Sequence, residues 1–348
     1  MQYRKLGRTG IEVSRLCLGT MTFGSQNTFE EGHAQIDLAL DHGINFLDTA
    51  EMYPVNPTSP ETQGASEACI GEWFEKTGRR GDVVLATKIV GEGFGHIRGG
   101  APINATTLRE AVDASLTRLK TDYIDLYQFH WPNRGSYHFR KYWNFDATVQ
   151  EKGTPQEDIL EILQTCDALV KEGKIRTIGL SNDSAWGTMQ FLSIAEKHGL
   201  PRVVTIQNEY SLLCRIFDTD LAELSHHEDV GLFCYSPLAA GIISGKYQGN
   251  VTPPDSRRTK VANLGGRLDG PNWEAATAAY LTVAEKHGLD VCQMALAWCL
   301  TRPFMTSAIF GATKHWQLEN ALKAADLALG QEVLDDIAAA NRAHPMPI

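Results

Sequence analysis

From about residue 15 to about residue 325, short apolar runs alternate with longer stretches in which apolar residues recur every three or four positions. That alternation is the strongest constraint on the fold. Eight runs read as strands: Arg15–Leu18, Ile44–Leu47, Val83–Thr87, Ile124–Phe129, Thr177–Leu180, Val203–Gln207, Gly231–Tyr235 and Ser307–Phe310. Most lack polar alternation, as strands covered on both faces do. The intervening stripes are helical in spacing: Leu108, Val112, Leu116 and Leu119 make one. Ile159, Ile162, Leu163, Cys166, Leu169 and Val170 make a second, and Val291, Met294, Ala295 and Trp298 a third. Gly43 and Gly199, each following a histidine, suit helix C-termini that need a positive φ. Eight strand–helix units without a break in composition favour one (β/α)8 TIM barrel spanning residues 1–348. Periodicity alone leaves a doubly wound sheet as the alternative.

Tyr3–Leu6 and Ile11–Ser14 flank R-T-G and predict a β-hairpin within residues 1–14, placed to floor the barrel. Three connections are long: Pro54–Gly64, Trp131–Pro155 and Pro237–Asn272. Each follows a strand, so each belongs at the C-terminal face, where barrel active sites are built. Residues 330–348 carry one further helix pattern and a tail. For 348 residues, domain arithmetic suggests two units, but a barrel accounts for the length as one.

Lys+Arg 32 against Asp+Glu 42 gives a net charge of −10 with no dense basic run, which argues against a nucleic-acid or anionic-membrane partner. The 7 cysteines are odd in number and scattered, with no C-x-x-C pair. The start, MQYRKLGRTG, is polar, and no apolar stretch reaches membrane-spanning length. A cytoplasmic chain with reduced cysteines is expected.

Four ionisable residues stand where strands two, three and four run out. F-L-D-T-A-E-M-Y supplies Asp48 and Tyr53, A-T-K supplies Lys88, and Q-F-H-W supplies His130. Adjacent strands lie under about 5 Å apart, so these side chains can converge. A phenol has a pKa near 10; a neighbouring ammonium lowers it, and a carboxylate holds that ammonium charged. His130 can donate to a carbonyl oxygen. Singly, each has an ordinary reading as a helix cap, solvated charge, structural histidine or rim aromatic. Together they suit proton delivery to a developing alkoxide. No second histidine or carboxylate stands at ligand spacing from His130, so no metal site is expected.

A second set lies across the mouth. I-G-L-S-N gives Ser181 and Asn182, T-I-Q-N gives Gln207, and Y-S-P-L-A-A-G opens the long loop after strand seven. G-A-T-K, residues 311–314, precedes a helix containing Gln317 and Asn320. Backbone N–H groups at that helix start, with Lys314, can hold an anion; an ordinary tight turn has the same composition.

These motifs, with the opening R-K-L-G-R-T-G-I-E-V-S, the L-G-T-M-T-F-G turn and Q-N-E-Y-S-L-L, resemble the aldo-keto reductase family over essentially the whole chain. The segments M-T-F-G-S-Q-N, E-M-Y-P-V-N-P and P-E-T-Q-G look most like its bacterial Tas-type branch. The resemblance implies a barrel that reduces aldehydes or ketones with NADPH, rather than NADH, bound without a Rossmann domain. Tyr53 is then the general acid, Lys88 lowers its pKa, Asp48 pairs with Lys88, and His130 orients the carbonyl. It implies cofactor contacts from Gly19, Thr20 and Met21, with Asp48 and Tyr53 beside the nicotinamide ribose. Ser181, Asn182 and Gln207 would meet the carboxamide, and Tyr235 the nicotinamide ring. Ser236, Pro237, Leu238, Ala239, Gly241 and Lys246 would wrap the pyrophosphate. Gly311, Ala312, Thr313, Lys314, Gln317 and Asn320, with Arg257, would take the adenosine and 2′-phosphate end. Many relatives carry arginine at Thr313 and Glu-Asn at Asn320-Ala321. Phe23, Met52, Trp131 and Tyr210 would wall a pocket for a small carbonyl substrate. The 131–155 loop reads equally as a lid or as a loop packed on its own aromatics. A different class, the regulatory potassium-channel β subunits, shares the barrel and is the alternative reading. Oligomeric state is open.

Overall fold

The apolar runs form the strands of a closed barrel, described by a computed structural model for residues 1–348. A hairpin of β1 (Tyr3–Lys5) and β2 (Glu12–Ser14) comes first. Eight parallel strands follow: β3 (Leu16–Gly19), β4 (Phe46–Asp48), β5 (Val84–Ile89), β6 (Ile124–Phe129), β7 (Ile175–Ser181), β8 (Val203–Glu209), β9 (Gly231–Tyr235) and β10 (Met305–Phe310). Strand β10 pairs with both β9 and β3, which closes the ring. The helices are α1 (Phe29–Asp41), α2 (Ala65–Thr77), α3 (Ala105–Leu119), α4 (Thr154–Lys171), α5 (Ala185–His198), α6 (Asp220–Glu228), α7 (Trp273–Lys286), α8 (Val291–Thr301), α9 (His315–Leu322) and α10 (Gln331–Ala343). The doubly wound alternative is thereby excluded. No helix is long and apolar enough to cross a membrane.

Several strands differ from the apolar runs at their ends. The second barrel strand is Phe46–Asp48 rather than Ile44–Leu47, β7 begins at Ile175, and β8 continues to Glu209. Apart from Ile175 those extra residues are polar, and Asp48, Arg176 and Glu209 among them find side-chain partners, so the ladder persists beyond the apolar stretch. Pro155 sits in the first turn of α4, where its missing N–H removes no helical bond.

The hairpin does floor the barrel. Leu6 and Val13 join Cys17, Phe46, Ala86, Leu126, Val204, Phe233 and Ile309 in one sealed apolar layer. The rings of Phe46 and Phe233 meet edge to face at 4.5 Å. Side chains on a strand alternate, so the residue two positions on faces the same interior. From Phe46, Ala86 and Leu126, that step reaches Asp48, Lys88 and Gln128. An apolar plug therefore lies directly beneath a polar layer.

The ring of helices fixes those strands from outside. Buried Glu67 on α2 accepts from Thr87 Oγ1 on β5 at 2.5 Å and from Arg118 Nε on α3 at 2.7 Å. This contact requires close approach of the two helices, and Gly71 permits it: a Cβ there would stand 2.2 Å from the Arg118 carbonyl oxygen. Gly71→Ala gains about 1 kcal/mol of helix propensity. The backbone clash outweighs it, giving an expected net loss of about 2 kcal/mol in urea denaturation. A midpoint at or above wild type would contradict this packing.

Candidate active site

Asp48 ends β4 and Lys88 lies near the end of β5; the register sets Asp48 against Ala86, two residues before Lys88, and Lys88 against Gln128. Lys88 Nζ donates to Asp48 Oδ2 at 2.7 Å and to the Thr49 carbonyl at 2.6 Å. Lys88 is fully buried and Asp48 nearly so. Burial works against the ammonium, but the charge and hydrogen bond of Asp48 outweigh it, so its pKa lies above the ordinary lysine value. Oδ1 of Asp48 accepts from Gln207 Nε2 at 2.8 Å and Gln128 Nε2 at 3.2 Å.

Tyr53 sits in the loop after β4, with Lys88 Nζ 4.9 Å from its ring centroid. Its ring meets that of His130, one residue past β6, edge to face at 5.9 Å. Burial pushes the Tyr53 phenol up; Lys88 pulls it down and Asp48 pushes it up, and the balance is a raised pKa. Lys88 thus moderates a shift that burial dominates. Burial, assisted by Lys88, holds His130 well below the ordinary histidine value. At neutral pH the phenol keeps its proton and the imidazole is uncharged.

Of the other expected residues, Asn320 and two pocket walls are directed elsewhere. Thr20 donates through its N–H and its hydroxyl to the Asp48 carbonyl, each at 3.0 Å, between Gly19 and half-buried Met21. Ser181 Oγ donates to the Gln207 carbonyl at 2.9 Å. Asn182 Nδ2 donates to the His130 carbonyl at 2.9 Å, and its Oδ1 accepts from the Tyr235 hydroxyl at 2.8 Å. Beyond Tyr235 the chain turns sharply, with positive φ at Ser236, Ala239, Ala240 and Gly241 around Pro237 and Leu238. After β10, Gly311 and Ala312 lead to Thr313 and Lys314, whose N–H groups donate to Gln317 Oε1 at 3.0 and 3.3 Å. Asn320 turns aside to α8, accepting from Gln293 Nε2 at 2.6 Å and donating to Asp290 Oδ1 at 3.2 Å.

The two pocket walls directed elsewhere are Tyr210 and Phe23. Tyr210 is fully buried, stacks on Trp298 at 5.3 Å and donates to Asp218 Oδ1 at 2.6 Å. It faces the helix layer because Trp298 on α8 offers a flat aromatic there and Asp218, just before α6, an acceptor. Phe23 is likewise enclosed, against α1 where Gly32 makes room for its ring. Met52 and Trp131 remain half-buried at the rim. Trp131 lies against Gly91, donates to the Glu92 carbonyl at 3.0 Å and meets Phe94 and Phe139 edge-on at 6.4 and 6.2 Å. Phe94 and Phe139 are rim aromatics that the sequence reading omitted.

The long loops are fastened. Ser136 Oγ donates to the Asn182 carbonyl at 2.7 Å, and Arg134 pairs with Asp183. Glu209, buried at the end of β8, accepts from Arg140 at 2.5 Å and from Arg267 at 2.7 Å. These arginines come from the 131–155 and 237–272 loops, so one carboxylate clips both. Some aromatics of the 131–155 loop also pack on each other, as Tyr137 and Phe145 do at 6.1 Å. The Glu51 carboxylate, between Asp48 and Tyr53, accepts from Val90 N–H at 2.7 Å and binds Arg98 with both oxygens. A glutamate inside D-T-A-E-M-Y or Q-N-E-Y is the signal that was available for these clips.

The site holds cationic groups in excess. Lys246, Arg257 and Lys314 form none of the ion pairs in the structure, and Arg257 Nε is buried without a partner. Burial and the like charge of Arg267 push Arg257 down to about 10. An anionic ligand fits these donors.

Arg267 and Arg140 hold the Glu209 carboxyl below the ordinary range despite its burial. A depressed folded pKa means that the unfolded chain binds more protons, so this stabilisation is full above about pH 4.5 and fades as pH falls further. Glu209→Ala leaves two buried arginines unpaired, with an expected loss of about 3–5 kcal/mol. Chemical denaturation at pH 7 and pH 4 measures both; a variant deficit equal at the two values would contradict the acid dependence.

The family model described as "Aldo/keto reductase family" matches residues 15–342. The chain is 43% identical to Protein tas of Escherichia coli (strain K12), covering 100% of this chain and 99% of that protein. It is 34% identical to the uncharacterized oxidoreductase YrpG of Bacillus subtilis (strain 168), covering 96% and 94%. A probable voltage-gated potassium channel subunit beta of Arabidopsis thaliana is 31% identical, covering 99% and 98%.

Proposed function

The chain belongs to the aldo/keto reductase family of NAD(P)H-dependent oxidoreductases, and we propose that it reduces aldehydes and ketones with NADPH, Tyr53 delivering the proton. The observation that carries this reading is the joint placement of Tyr53, Lys88, Asp48 and His130 above the apolar floor. The cofactor, when bound, supplies a hydride to the carbonyl carbon. Residues 1–348 act as one barrel unit in this reading.

The chain's own residues would do the following. Neutral His130 donates a hydrogen bond to the carbonyl oxygen and orients it, which only an imidazole kept uncharged by burial does without competing for the proton. Tyr53 holds its proton at neutral pH and passes it to that oxygen as negative charge develops. Lys88 stabilises the phenolate left behind, and Asp48 keeps Lys88 charged in a site that excludes water. Ser181, Asn182 and Gln207 would hold the carboxamide, with Tyr235 against the ring, and Gly19 to Met21 beside them. Residues 236–241 and Lys246 would wrap the pyrophosphate. Gly311 to Lys314, Gln317 and Arg257 would take the phosphate-bearing adenosine end, where unpaired cations favour NADPH over NADH. Asn320 is the weakest of the expected contacts, because α8 already holds both polar ends of its amide. Met52 and Trp131, with Phe94 and Phe139, would wall an apolar approach for a small carbonyl compound. Buried, unpaired cysteines fit a reducing cytoplasmic setting.

A second reading, a nucleotide-binding regulatory subunit, rests on the likeness to a relative named as a channel β subunit. Tight cofactor binding with no turnover across an aldehyde and ketone panel would favour it. For the enzyme reading, Tyr53→Phe should bind NADPH as wild type does, by fluorescence quenching, while turnover of 4-nitrobenzaldehyde falls by about 10²–10⁴. Undiminished turnover would refute the assignment. Lys314→Ala should raise the KM for NADPH about tenfold and leave that for NADH unchanged; equal effects on both would remove Lys314 from the phosphate end.

A further inference from the structure

Gln128 is fully buried on β6, two residues before His130 and two after interior-facing Leu126 of the apolar floor. A carboxylate accepts and never donates, so both glutamines beside Asp48 must turn their NH2 groups toward it. Gln207 Nε2 has two hydrogens. One goes to Asp48 Oδ1 at 2.8 Å and the other to Gln128 Oε1 at 3.1 Å. Gln128 Nε2 in turn donates to Asp48 Oδ1 at 3.2 Å. The three groups close a triangle in which each hydrogen bond fixes the direction of the others. Besides the second N–H of Gln128, what remains over is the carbonyl oxygen of Gln207, an acceptor by necessity.

We propose that Gln128 is a positioning residue that locks in place the amide of Gln207, whose NH2 Asp48 already turns inward, as a reader of the cofactor carboxamide and ties that reader to the Asp48–Lys88 pair. The inference rests on the reading of Gln207 as a carboxamide contact. With Gln128 in place, Gln207 offers an acceptor matched to a carboxamide N–H. Without it, Gln207 keeps a single anchor and its amide swings. Asp48 also loses a donor on Oδ1, which shifts its hold on Lys88 and thereby on Tyr53. Gln128 touches neither the substrate nor the hydride path in this scheme; it acts through its two neighbours.

The test compares equilibrium binding of NADP⁺ and of its 3-acetylpyridine analogue, which replaces the carboxamide NH2 by methyl, by quenching of tryptophan fluorescence. Wild type should prefer NADP⁺ about fivefold, the worth of one hydrogen bond. Gln128→Met, which keeps side-chain length without polar atoms, should reduce that preference to near unity, and Gln128→Leu should do the same. In both variants kcat should fall about fivefold with the carbonyl KM unchanged. A merely structural role would weaken both dinucleotides alike. If wild type discriminates and both variants discriminate equally well, the Gln128 inference fails while the carboxamide reading stands. If wild type shows no preference, the carboxamide reading itself fails, and this inference with it.

Discussion

Everything at the barrel mouth depends on one buried ion pair. Lys88 has no exposure and Asp48 almost none, and moving such charges out of water costs several kcal/mol each. Their attraction offsets this only because the remaining valences are met: the Thr49 carbonyl on Lys88 and two amides on Asp48. The pair sums to zero charge, and its polar neighbours Gln128, Gln207, Tyr53 and His130 are neutral as well. The centre therefore carries no net charge, and in the proposed mechanism the ammonium would already stand beside the phenolate once a proton left Tyr53. Electrostatic work would then be done in advance, during folding, rather than at the moment of reaction.

Farther out the balance changes sign. A chain with a net charge of −10 gathers Lys246, Arg257 and Lys314 around its mouth without giving them carboxylates. The carboxylates that do stand there, Glu51 and Glu209, are fully taken up by Arg98, Arg140 and Arg267. Charges that hold loops are thus satisfied internally, whereas those of Lys246, Arg257 and Lys314 are not.

What the sequence made legible was local. The eight apolar runs, the hairpin and the four ionisable residues at strand ends all lie within short motifs, and strand geometry then forces them together. Less legible was anything set by a partner distant in the chain. Gln128 meets Asp48 across 80 residues and Gln207 meets it across 159. A polar residue inside an apolar strand hints at an interior partner without naming it. Tyr210 and Phe23 were misplaced for a related reason: both sit beside a strand end, where the chain turns and the rule of alternating faces lapses. Whether such an aromatic faces the mouth or the helix layer depends on what waits on each side, here Trp298 and Gly32.

The shared carboxylate of Glu209 also has a mechanical meaning. Two loops fastened only to separate anchors would be free to shift independently. Because Arg140 and Arg267 share one anchor, lifting either loop unbalances the charge that holds the other. The two loops are thereby joined at one residue, while Ser136 and Arg134 fasten the first of them to the barrel as well.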